Sequence, residues 1–129
     1  MKKGLFMLAA ISGFFAVALG AFGAHGLKNV APPHLIEIFN LGVEYQFYHT
    51  FALIAVAMAG HWINSRLLNW AAGLFIAGIF LFSGSLYLYA MLGVKMLGII
   101  TPFGGVCFLI AWMLLAAAVY RHRMDETGL

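Results

Sequence analysis

Residues 67–92, LLNWAAGLFIAGIFLFSGSLYLYAML, decide how this chain is read. A bilayer core about 30 Å thick is crossed by roughly 20 apolar residues in a helix. Backbone in hydrocarbon finds no water, so it must satisfy its own hydrogen bonds, and within one segment only a helix does that. Three further apolar runs, residues 5–24, 45–60 and 98–119, are set apart by short polar joints. The expectation is an all-α membrane protein: a four-transmembrane-helix antiparallel bundle, with a short interfacial helix after the first span. It is predicted as one domain over residues 1–129, with helices at about residues 4–26, 43–62, 67–92 and 98–120.

Composition supports this. The 129 residues are 64% hydrophobic and 9% charged, more apolar surface than a soluble core of this length can hide. The basic balance does not indicate nucleic acid, because Lys2, Lys3, Arg121 and Arg123 lie at the chain ends and form no stripe. They act instead as topology signals. With four spans both termini share a side, which carries Lys2, Lys3, Arg66, Arg121 and Arg123, while Lys28 and Lys95 fall opposite. Positive-inside bias then places both termini in the cytoplasm, with Trp62, Trp70 and Tyr120 at the cytoplasmic interface. The first run imitates a signal peptide but exceeds the usual apolar core of about 7–15 residues, so a retained helix is expected. Cys107 has no second cysteine to pair with and reads as a small buried hydrophobe.

Local signals refine the helices. Ala16, Gly20 and Ala24 make a small-residue stripe at four-residue spacing, suited to close helix contact. Pro33 suits the first turn of a helix. Two readings of the segment after it stay open: a separate interfacial helix, or an outward projection of the second span. Thr101-Pro102 reads as a cap followed by a first-turn proline.

Polar groups inside a membrane are costly and therefore informative. His25, Glu44, Tyr45, Gln46, Tyr48, His49, Ser83, Ser85, Tyr87 and Thr101 thread into one layer in the half of the bundle away from the termini. The other half is almost wholly apolar, which disfavours a conducting path through one chain. On the second helix His49 shares a face with Tyr45 and Gln46, and Glu44 with Tyr48, so a Glu44–His49 relay is not expected. His49 is predicted to lie among helices, bonded to a polar group of the first or third helix, with Ser83 or Ser85 as the preferred partner.

Four roles are open to this layer. It packs the helices or binds a lipid or protein partner. Or it holds a metal or haem through His25 and His49, with His34 and Glu44 nearby, since imidazole suits zinc, copper and haem iron. Or Ser83 or Ser85 acts as a nucleophile with His49 and Glu44, although no nucleophile elbow or zincin motif is present. Or a homo-oligomer transports a solute, with Ala16, Gly20, Gly73 and Ala77 as close-contact positions. The first is favoured: no catalytic residue and no cofactor are expected, and the partners are the bilayer and further copies of the chain.

Four blocks also carry a resemblance: residues 20–26 (GAFGAHG), 44–49 (EYQFYH), 82–87 (FSGSLY) and 101–105 (TPFGG). In this order they resemble the signature of the domain-of-unknown-function 423 family, which contains YgdD-like bacterial inner-membrane proteins and is similar to the transmembrane protein 256 group. The resemblance implies a four-helix inner-membrane protein. It implies no activity, cofactor or site residue.

Overall fold

The computed structural model describes residues 3–128, so the topology signal at Lys2 lies outside the described residues. These residues are almost entirely helical. The elements are α1 (Lys3–His25), α2 (Pro33–Ala59), α3 (Arg66–Gly78), α4 (Ser85–Leu92) and α5 (Thr101–Thr127). A π-helical segment, Ile79–Gly84, joins α3 to α4, so that Arg66–Leu92 runs as one helical rod. Short 3₁₀ turns at Leu27–Asn29 and Lys95–Ile99 serve as joints.

The helix ends follow local chemistry. Pro33 occupies the first turn of α2, where its missing N–H costs nothing. The Ser65 hydroxyl accepts from the Leu67 N–H at 3.1 Å and caps α3. Gly93 closes α4 with φ of 69°, a conformation open to glycine. The separate interfacial helix is not formed: the segment after Pro33 continues unbroken into α2, because no breaker interrupts it. Thr101 is the first residue of α5 rather than its cap, and its hydroxyl is engaged elsewhere.

Two helix pairs organise the core. α1 lies along α2, and α3 lies along α5. α1 buries Ala9, Ala16 and Gly23, one residue every seven. The expected four-residue stripe is thus replaced by a seven-residue one, the period of left-handed helix packing. Gly20 still contributes, facing Val43, whereas Ala24 is exposed. Between α3 and α5, Gly78 faces the Phe108 ring and Gly104 faces the backbone of Leu81 and Phe82.

Among the described residues, three helical stretches are long and apolar enough to cross a membrane: Lys3–Asn29, Arg66–Leu92 and Lys95–Thr127. Within the most apolar part of the first, only 11% of residues are buried. So much outward apolar surface demands an apolar solvent. α2 falls short of that standard because Glu44, Gln46, His49 and Thr50 lie along it.

Candidate functional site

The polar side chains meet where the π-helical segment crosses α2. Gln46 is buried at the centre. Its Nε2 donates to the Ser12 carbonyl of α1 at 2.9 Å, and its Oε1 accepts from the Tyr87 hydroxyl of α4 at 2.5 Å. One turn along, Thr50 pairs with the Ser12 hydroxyl at 2.7 Å. Ser83 donates to the Gly42 carbonyl at 2.7 Å, across an approach so close that a Cβ on Gly42 would meet the Tyr87 ring. The Ser85 hydroxyl donates to the Phe82 carbonyl at 2.9 Å. Its proton is then committed, so Thr101 donates to Ser85 at 2.6 Å. Every buried side-chain nitrogen and oxygen among the described residues has a partner.

His49 belongs to a second cluster, on the other side of α2. It is 5% exposed, and its ring stacks on Phe108 with centroids 3.5 Å apart. Trp112 Nε1–H donates to His49 Nε2 at 3.2 Å. That leaves Nδ1–H to donate to the Tyr45 carbonyl at 2.8 Å, and the imidazole is neutral. Tyr45 in turn stacks on Phe82 at 4.6 Å. The expected bond from His49 to Ser83 or Ser85 is therefore not made. Both serines are turned towards backbone carbonyls and Thr101, and α5 supplies the partner through Trp112.

Tyr48 stands exposed at the edge of this second cluster, its ring edge-on to Tyr45 with centroids 5.4 Å apart. His25, His34 and Glu44 are exposed and join neither hydrogen-bonded cluster. Both nitrogens of His49 are occupied, so it has no free lone pair for haem or a metal ion. Among the described residues, no three of His, Cys, Asp and Glu converge as a metal site, and no Ser–His hydrogen bond is formed. Cys107 is half-buried rather than fully buried. Sequence reasoning missed Ser12, Thr50 and Trp112. Ser12 was visible as a lone hydroxyl in the first apolar run, and Thr50 as the residue one turn after Gln46. Trp112 gave no signal, because its ring suits an apolar helix as well as its N–H suits a partner.

Two recesses flank α2. One, of about 410 Å³, lies between α1 and the Arg66–Leu92 rod, with Phe15, Leu53, Ile76 and Phe80 among its walls and Gln46 and Ser12 at its polar edge. The other, of about 610 Å³, lies against α5 beside Tyr48, His49 and Trp112.

Long apolar helices tied by a compact layer of internally satisfied polar groups define a helical membrane protein. The chain belongs to the family described as "Protein of unknown function (DUF423)", whose pattern matches residues 19–105. It is 40% identical to the UPF0382 membrane protein YwdK of Bacillus subtilis, over 93% of this chain and 98% of that one. A UPF0382 membrane protein of Haemophilus influenzae is 41% identical over 95% and 98%. The UPF0382 inner membrane protein YgdD of Escherichia coli is 39% identical over 92% and 91%. No solved structure matches.

Proposed function

We propose that this is a multi-pass protein of a bacterial cytoplasmic membrane that holds one long apolar chain, of the lipid class, in the recess between α1 and the Arg66–Leu92 rod. The observation that carries this reading is the recess itself. At about 410 Å³ it falls in the usual range for ligand pockets, about 300–1,000 Å³. Its walls are almost wholly apolar, and the polar groups at its edge already have partners, so nothing in it asks for a polar ligand. The Gln46–Ser12–Tyr87 bonds tie α1 and α4 to α2 and hold the walls apart.

The reading includes four antiparallel spans with both termini in the cytoplasm. α2 serves as the fourth span because Gln46, His49 and Thr50 turn inward. The contact pairs Gly13–Thr50, Gly20–Val43 and Gly23–Phe39 support opposite chain directions for α1 and α2. The Lys and Arg split supports the orientation.

Gly84 provides the test. It borders the recess, and a Cβ there meets nothing within 4 Å. Native mass spectrometry of the protein released from mild detergent should show one retained lipid per chain. Gly84→Leu should abolish that retention while leaving thermal stability nearly unchanged. Equal retention by the variant, or none by the original chain, overturns the reading.

A further inference from the structure

We infer that a second copy of this chain lies parallel against the outward face of α2, with Glu44 and Tyr48 at the contact. The inference rests on α2 being a membrane span. Glu37, Leu41, Glu44, Tyr48, Phe51, Ala55 and Met58 are all exposed. Their spacing alternates four and three residues along the whole helix, the repeat that keeps one seam facing a parallel partner. α1 presents a different kind of surface. Its exposed Phe6, Met7, Phe14, Phe15 and Val17 are apolar, and lipid suffices to cover them.

The α2 seam is not content with lipid. Glu44 lies fifteen residues from Ala59, roughly 22 Å along the axis at about 1.5 Å per residue, inside a core about 30 Å thick. Intramembrane carboxylates normally face protein or water. Among the described residues, neither the Glu44 carboxylate nor the Tyr48 hydroxyl has a hydrogen-bond partner. They are an acceptor and a donor one turn apart on one stripe. Two such stripes related by a two-fold axis along the membrane normal are self-complementary: Tyr48 of each copy donates to Glu44 of the other. The recess of about 610 Å³ between α2 and α5 opens beside Tyr48, next to this seam. The close-contact positions read from the sequence are different and partly spent, since Ala16 is buried against α2 and Gly20 faces Val43.

Cysteine cross-linking in native membranes tests the pairing. With Cys107 replaced by Ala, single cysteines at Leu41, Phe51 and Ala55 should give a disulfide-linked pair of this chain on oxidation. Controls at Phe14 on α1 and Met113 on α5 should give several-fold less. Adding Tyr48→Phe, which keeps the ring, should lower the cross-linked fraction several-fold. Equal yields at all positions, or cross-links only to another protein, overturn the inference. A membrane-impermeant maleimide separates the two readings. If it labels the cysteine at position 51, the four-span reading itself fails. If position 51 is protected but does not cross-link, only the pairing fails.

Discussion

Gln46 and His49 stand three residues apart on α2 and are buried alike, yet they bond to different helices. Gln46 reaches α1 and α4, while His49 meets Trp112 of α5. Spacing showed that they share a broad inward face but not that the face divides between two neighbours. The His49–Trp112 contact makes an asymmetric prediction. Trp112→Phe removes the donor and leaves Nε2 of a buried imidazole without a partner, at a cost of about 1–3 kcal/mol. Replacing both partners, His49→Phe with Trp112→Phe, removes the polar groups together and should cost less than Trp112→Phe alone. Denaturant titration of helicity in detergent measures both. A double variant weaker than the single one would show that His49 does not depend on Trp112. Ser83 and Ser85 were candidates because a hydroxyl at this depth needs a partner. Which partner was not legible, because a serine inside a helix reaches nearby carbonyls as readily as another side chain.

At the scale of elements, the Arg66–Leu92 rod is the informative one. Its length and apolar character were legible, but the π-helical segment at Ile79–Gly84 was not. There the rod meets two other backbones: Ser83 donates to the Gly42 carbonyl of α2, and Gly104 of α5 lies against Leu81 and Phe82. Such proximity excludes side chains at the crossing. Gly104→Ala should therefore destabilise the protein by about 1–3 kcal/mol, the usual range for overpacking. Gly73 lies mid-helix in α3, and a Cβ added there would meet nothing within 4 Å. Gly73→Ala should leave stability unchanged or raise it by about 0.5–1 kcal/mol, through helix propensity. Paired thermal unfolding distinguishes the two sites, and equal effects would remove the argument from close backbone contact.

At the scale of the whole molecule, the proposed orientation rests on the Lys and Arg split. Alkaline phosphatase fused to the C-terminus should be inactive in the proposed topology, whereas fusion in the joint after Gly93 should be active. The reverse pattern would invert the molecule. Helical class, membrane residence and family were all readable from the chain, because hydrocarbon permits few backbone solutions and the apolar runs are long enough to impose one. The sequence also singled out Gln46, His49, Ser83, Ser85, Tyr87 and Thr101, all of which are hydrogen-bonded across or within helices, alongside His25 and Glu44, which are exposed. Their partners were not legible. Rotation of each helix about its axis, the shift from a four-residue to a seven-residue seam on α1, and the choice of Trp112 for His49 depend on how the side chains of several helices fit together. Close packing settles these through contacts that no single segment contains.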